Sequence, residues 1–469
     1  MRPRPCRPLR RPGIALGLAL ALLVTALPAA RAASAKLRVP ITTFTLANGL
    51  QVILHEDHSL PIVAVDTWYH VGSGDERPGH TGFAHLFEHM MFMGSEHVAT
   101  GEFDRLIEAA GGDNNGSTNV DRTNYYEDGP ANALPLLLYL DSDRMGFLVS
   151  QMTPEKVDLQ RGVVQNERRQ SYENRPYGLA NENILRRLYP AGHPYSWPVI
   201  GSMADLSAAS LDDVKAFFHG YYTPNNAVLV MAGDFTAAEA RALVEHWFGD
   251  LPRGPEVTRP APAPFALAAD VHGVLEDRVQ VPRLYDAWHT QKAYAPDDAA
   301  LEVAARVLAG GKASRLYRRL VYQLEVATDV YAYQNGWRLD GDFRVVATAR
   351  PGHGLDELQQ AVDEEIARLA AEGPTARELE RVVNGVETEA LDGMQSLGGG
   401  GGIADQLNRY AYFVGTPDYF ESDLERFRRL TPADVQRVTR RYLADSHRVV
   451  LSVVPQGRTE LAVSEGRQP

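Results

Sequence analysis

The segment His85-Leu86-Phe87-Glu88-His89 places two imidazoles four residues apart around a carboxylate. On a helix, positions i and i+4 lie on one face a turn apart, so His85 and His89 form a ready-made ligand pair for zinc. Glu88 lies beside the same face and can act as a base toward water activated by such a metal. A chain with 14 histidines can carry this pattern by chance, and two histidines on a solvated helix face are the bland alternative. The surroundings argue against it. Phe83, Leu86, Phe87, Met90, Met91, Phe92 and Met93 make the segment apolar nearly all round, so the helix is expected to be buried. Buried imidazoles and a buried carboxylate need partners, and a metal supplies one.

The elements that must hold this segment read as a mixture. Residues 44–55 suit a hairpin turning at Asn48-Gly49. Residues 62–71 alternate like a strand, and 82–93 carry the motif helix. Thr100 is expected to cap a second helix that stops at Gly111-Gly112. Residues 113–127 read as two polar strands, followed by long helices near 134–148 and 154–173. Strands and helices do not strictly alternate, which indicates an α+β class. Glu167 falls in the last of these helices, among Arg161, Arg168 and Arg169. Taken alone, it is either a third ligand or one more helix-surface charge.

The chain repeats itself. Val65-Asp66-Thr67-Trp68 matches Tyr285-Asp286-Ala287-Trp288, and Leu211-Asp212-Asp213-Val214 matches Pro432-Ala433-Asp434-Val435, at nearly the same offset. An apolar run follows the second match in each half, at 227–231 and 449–453. One offset recurring at both ends marks an internal duplication. Projected through it, His85, Glu88 and His89 fall on Ala305, Leu308 and Ala309, so only the first half carries the metal motif. Pro252, Pro255, Pro260, Pro262 and Pro264 form a semi-rigid linker between the halves. The expected division is a leader at 1–32, a metal-binding domain at 33–251, the linker at 252–264 and a homologous domain without metal at 265–469.

The leader has Arg2, Arg4, Arg7, Arg10 and Arg11, an apolar run over 14–27, and a small-x-small site at Ala30-Arg31-Ala32. These are the marks of a secretory signal cleaved near Ala32, with an apolar run too short for a comfortable membrane span. No later segment reaches spanning length. Cys6, the only cysteine, lies in this leader. The mature chain therefore has no disulfide and no thiolate metal site, which suits export to a periplasm. The whole chain has a net charge of −13 and the leader carries six Arg and no acid. The mature chain is thus strongly acidic and a poor nucleic-acid binder.

The run Gly82-Phe83-Ala84-His85-Leu86-Phe87-Glu88-His89-Met90-Met91-Phe92-Met93-Gly94 resembles the inverted zinc peptidases, the family of pitrilysin, insulin-degrading enzyme and the mitochondrial processing peptidases. Its His-x-x-Glu-His order is the reverse of the commoner zinc-peptidase motif. The resemblance continues through Gly111-Gly112, Asn115-Gly116, Thr118, Thr123 and Tyr125, then through Arg161-Gly162-Val163-Val164-Gln165-Asn166-Glu167, and into Ala309-Gly310-Gly311-Lys312-Ala313-Ser314-Arg315-Leu316. It implies two homologous domains, each a mixed, mostly antiparallel sheet packed with helices. It also implies one Zn2+ per chain held by His85, His89 and Glu167, with Glu88 as general base. Asn115, Gly116, Ser117 and Thr118 become an edge strand that pairs with peptide backbone, although an ordinary polar turn is the alternative for those residue types. The implied activity is that of an exported metalloendopeptidase, working as a dimer. A non-catalytic binding subunit of the same fold and a zinc hydrolase of non-peptide amides are the rivals.

Two departures from the family stand out. An acidic residue that often supports the metal seven positions before the third ligand is Gln160 here. An Arg and a Tyr, seven apart in the second half of self-sufficient relatives, fall on Val321 and Thr328. Arg315 and Tyr322 have the spacing but a different register. Donors of that kind are typically worth a factor of about 100 to 1,000 in rate. A heterodimer in which a homologous subunit supplies the Arg and Tyr is therefore expected, with a homodimer as the alternative. The run 398–402, all glycine, is read as a hinge or chamber-facing loop, or else a plain surface loop.

Overall fold

The computed structural model describes residues 37–464; the leader and Cys6 lie outside them. Two sheets repeat one topology. The first contains β1 (Thr42–Thr45), β2 (Gln51–Glu56), β3 (Ile62–Tyr69), β4 (Asp113–Thr118), β5 (Thr123–Pro130) and β6 (Ala227–Gly233), in the order β1-β2-β6-β3-β5-β4. The second contains β7 (Val271–Asp277), β8 (Arg283–Thr290), β9 (Ala327–Gly336), β10 (Gly341–Ala349) and β11 (Arg448–Pro455), in the order β7-β11-β8-β10-β9. Apart from β1 the two orders superimpose. In each sheet one pair is parallel, β2 with β6 and β7 with β11, and the rest are antiparallel. Both sheets pack with helices, as the α+β expectation requires.

The duplication extends to residue pairing. Asp66 faces Val230 in the first sheet and Asp286 faces Val450 in the second. Ser210 caps α7 (Leu211–Tyr221) through a capping box with Asp213, and Thr431 caps α14 (Pro432–Thr439) through one with Asp434. Between them run α8 (Ala237–Phe248), α9 (Asp298–Ala309), α10 (Leu355–Glu372), α11 (Ala376–Gly393), α12 (Ile403–Val414) and α13 (Phe420–Arg428). Ala305, Leu308 and Ala309 of α9 are buried, so apolar packing occupies the position of the metal motif in the second half.

Earlier in the chain lie α1 (Phe83–Met90), α2 (Glu102–Ala109), α3 (Leu134–Phe147), α4 (Pro154–Arg168), α5 (Ala180–Leu188) and α6 (Met203–Ala208). The hairpin over Asn48-Gly49 forms, with β1 and β2 antiparallel. Two local expectations are corrected. Gly101, in the left-handed region, caps α2 in place of Thr100. Thr100 instead donates its hydroxyl to the Met93 carbonyl at 2.7 Å, tying down the exit of the motif helix. Second, α1 is not apolar all round. Phe83, Ala84, Leu86, Phe87 and Met90 are buried, whereas His85, Glu88 and His89 form a partly open polar face. The glycine run is packed at its start, while a Cβ at Gly399, Gly400 or Gly401 would meet nothing within 4 Å. A Cβ at Gly398 would come within 2.9 Å of Ala64 Cβ, against the first sheet.

The Pro-rich stretch carries no regular structure, yet Arg259 within it donates to the His70 carbonyl at 2.7 Å and to Asn226 Oδ1 at 2.8 Å. Helix α12, from the second half, lies on β3 and β6 of the first sheet. No helix among the described residues is long and apolar enough to cross a membrane.

Candidate metal centre

Helix α1 is held at its start by carboxylates. Glu76 accepts from the Gly82 N–H at 3.0 Å and the Ala84 N–H at 2.8 Å, which satisfies donors that the first turn leaves open. Burial pushes the Glu76 carboxyl up to about 8, against the pull of these hydrogen bonds. Gly82 has a φ of 88° and sits back to back with Gly201, where a Cβ would come within 2.4 Å of Gly82. No larger residue fits that crossing. The apolar side chains of α1 join the first core beside Val65, Tyr69 and Leu229, which turns His85, Glu88 and His89 away from it.

Helix α4 supplies the third group. Thr153 caps it and Pro154 occupies its first turn. Gln160, Val164 and Glu167 follow at i, i+4 and i+7, on one face, with Val164 fully buried. Immediately after Glu167 the helix widens into a π turn over Arg169–Glu173, a local distortion common at functional sites.

His85, His89 and Glu167 converge. The Glu167 Oε2 lies 3.4 Å from His89 Nε2 and 3.7 Å from His85 Nε2, and all three ligand atoms lie within 4.8 Å of one another. Tetrahedral zinc with arms of about 2.0–2.2 Å separates its ligand atoms by roughly 3.3–3.6 Å. The residues therefore fit a zinc ion in both chemistry and spacing. Burial holds the His85 imidazole down at about 4, against Glu167. Burial also opposes the charged form of His89, but Glu167, Glu88 and Gln160 outweigh it and raise its pKa. The hydrogen bond from His89 lowers the Glu167 carboxyl. The amide of Gln160 also donates to Met93 Sδ at 2.8 Å, beside its interaction with His89.

Glu88 borders the strand as well as the metal cluster. Its carboxylate accepts a hydrogen bond from the Thr118 hydroxyl at 2.5 Å, and burial raises its pKa. Strand β4, which contains Asn115, Gly116, Ser117 and Thr118, is the outer strand of the first sheet. Asn119 N–H donates to the Arg122 carbonyl across the β4–β5 turn. By antiparallel alternation, the main-chain groups of Asn114, Gly116 and Thr118 then point away from β5, toward the open edge. The Gly116 N–H donates to the adjacent Asn115 Oδ1, at 2.8 Å. Ser117 turns its side chain the other way, to Asn124 Oδ1 at 2.7 Å.

Residues outside the motifs also take part. Glu76 holds the start of α1 and Arg122 grips β4 from its far side, yet nothing in their spacing singles them out. Val321 is buried, and Thr328 donates to the Thr348 carbonyl at 3.3 Å. Arg315 is tied to Glu378 at 2.8 Å, and Tyr322 is exposed.

The fold and the His-x-x-Glu-His helix define a chain of the inverted-peptidase class. The family model described as Insulinase (Peptidase family M16) matches residues 51–196, and that described as Peptidase M16 inactive domain matches residues 208–386. The chain belongs to peptidase family M16. It is 28% identical over 445 residues to the zinc protease PqqE of Helicobacter pylori, covering 94% of this chain and 98% of that one. The crystal structure of a protease from Helicobacter pylori matches with a TM-score of 0.83 at 25% identity, over 89% of this chain and all of that one. A structure described as the peptidase M16 inactive domain from Pseudomonas fluorescens shares the fold, with a TM-score of 0.79 at 21% identity over 90% of this chain and 99% of that one.

Proposed function

We propose that this chain is the metal-bearing subunit of an exported zinc metallopeptidase that hydrolyses peptides or small unfolded polypeptides. The observation that carries this reading is the convergence of His85, His89 and Glu167 beside Glu88 and the open strand β4. His85, His89 and Glu167 would hold the zinc, which would supply a Lewis acid able to polarise a peptide carbonyl and acidify water. Glu88 takes the proton of the attacking water and returns it to the leaving amine. Thr118 fixes one of the Glu88 oxygens. A peptide adds to β4 as a further strand through the open groups of Asn114, Gly116 and Thr118, displacing the Asn115 side chain from the Gly116 N–H. Recognition is then mostly through backbone, with broad tolerance of sequence.

The division into domains 33–251 and 265–469 around the linker belongs to this reading, as do the leader cleaved near Ala32 and periplasmic export. So does a dimer with a homologous subunit that supplies the Arg and Tyr replaced here by Val321 and Thr328. The same replacements favour a second reading, a binding subunit of this fold with little turnover of its own.

The test is zinc analysis and fluorogenic-peptide cleavage by the purified mature chain. One zinc per chain is expected, with turnover that a chelator removes and added zinc restores. Absence of stoichiometric zinc would overturn the assignment. Bound zinc with negligible turnover would favour the binding subunit, unless a homologous partner restores cleavage.

Gly116 gives a sharper check. A Cβ there would lie 3.3 Å from Glu88 Cγ and 3.2 Å from the Tyr125 ring. Gly116→Ala is expected to displace Glu88 by a few tenths of an ångström and lower kcat/KM about tenfold, with zinc content unchanged. Wild-type kinetics in this variant would argue against close approach of β4 to the base.

A further inference from the structure

Strand β4 has two faces, and the metal cluster lies on only one. Gly116 and Thr118 face Glu88, whereas the intervening Ser117 faces the opposite side of the sheet, where α12 packs. On that side Arg122 donates one Nη1 to both the Ser117 carbonyl, at 2.8 Å, and the Ser117 hydroxyl, at 2.6 Å. Its guanidinium stacks over Trp68 at 5.0 Å. The Ser117 hydroxyl continues to Asn124, whose amide donates to Asp66 at 3.0 Å. Asn408 of α12 donates to the Asp66 carbonyl at 2.9 Å and to its side chain at 3.2 Å. An unbroken hydrogen-bond chain thus runs from the second half of the sequence to the strand beside the base.

The neighbouring residue is anchored to the second half directly. Asp121 is fully buried. It accepts from the Arg338 N–H at 2.7 Å and from the Tyr195 hydroxyl at 2.5 Å, and its carbonyl accepts from the Tyr412 hydroxyl at 3.1 Å. Leu339 N–H in turn donates to the Tyr195 hydroxyl at 3.1 Å. The turn that ends β4 therefore has Asp121 gripped from outside and Arg122 gripping the strand.

We propose that Arg122 is a positioning residue through which the second half sets the register and rigidity of β4 as the peptide-accepting edge. This rests on the strand-addition reading above and assigns the half without a metal a role in substrate engagement. Both bonds leave a single nitrogen, so a Lys ammonium can replace part of them, but it lacks the planar guanidinium that stacks over Trp68.

The test uses the full mature chain, zinc-loaded, in a Glu88→Gln background, with and without Arg122→Met, Arg122→Lys and Ser117→Ala. Two quantities are read: amide hydrogen exchange over residues 113–119, and the Kd of a fluorescein-labelled ten-residue extended peptide. Arg122→Met is expected to speed exchange across β4 about tenfold and to weaken peptide binding about 10- to 100-fold, with zinc content unchanged. Arg122→Lys should recover part of both losses. Ser117→Ala, which leaves the buried guanidinium in place, should show a smaller loss of the same kind. Unchanged exchange and Kd in Arg122→Met would overturn the proposal, as would loss of zinc in step with loss of binding. If the Glu88→Gln parent binds no peptide, strand addition fails, and the exchange rates alone still decide whether Arg122 holds the strand.

Discussion

Glu88→Gln is expected to reduce peptide hydrolysis by at least about a thousandfold while leaving zinc bound and the fold intact. Positioned general bases contribute about 10²- to 10⁴-fold, and this one has no understudy. The other carboxylate at the cluster, Glu167, points both of its close contacts at the histidines. The amide of Gln keeps the size of Glu and can still accept from Thr118 Oγ1, so the local structure is retained. What it cannot do is take a proton. Loss in kcat with an unchanged KM and one zinc per chain would place the defect in proton transfer. Residual activity within tenfold of wild type would mean that another group is the base. His85→Ala, by contrast, should lose zinc and activity together, since it removes a ligand.

Arg144→Met is expected to destabilise the chain by about 3–5 kcal/mol, the largest effect foreseen on stability. Arg144 on α3 is almost wholly buried and hydrogen-bonds to Glu127 of β5 and Asp141 of its own helix, both also buried. Thr67 of β3 donates to the other Asp141 oxygen at 2.7 Å. The guanidinium packs over the rings of Phe103 and Tyr125, each 4.6 Å away. Removing the cation leaves two carboxylates in the core without a counter-charge. Burial already pushes the Glu127 carboxyl well up, and Arg144 is the group that opposes it. In the variant the folded state holds protons that the unfolded state has released above the ordinary carboxylate range. Stability therefore falls as pH rises, and the defect should be larger at pH 8 than at pH 5. Denaturant titrations at the two pH values read this directly. Adding Glu127→Gln and Asp141→Asn should recover part of the loss. A pH-independent defect would point to lost packing over the rings as the main cause.

Both expectations begin from residues of different legibility. The motif helix, the hairpin at Asn48-Gly49 and the repeat offset were readable because each depends on local periodicity or on self-similarity along the chain. Duplication even showed which half lacks the metal motif, since Ala305, Leu308 and Ala309 offer no ligand atoms. Capping of α2 was misread because Thr100 has a nearby competitor, the Met93 carbonyl, that claims its hydroxyl. Uniform burial of α1 was misread because composition reports how many apolar residues a helix carries, while their angular distribution decides which face stays open. Arg144, Glu76 and Arg122 carried no signal, because a buried charge announces itself only through partners distant in sequence.

By itself, the amino-acid sequence determined the two histidines and the carboxylate on one turn of helix, the duplicated architecture, and the absence of any cysteine beyond Cys6. These follow from spacing and residue type, which the chain carries whether or not it is folded. Beyond what the family resemblance implied, tertiary structure decided that Glu167 meets His85 and His89, because nothing in the spacing of α4 specifies the angle at which it crosses α1. It also decided that Thr118 reaches Glu88 from an open sheet edge, and that α12 of the other half underlies that edge. Such contacts arise when packing brings together faces whose sequence separation is large, so they exist only in the folded chain.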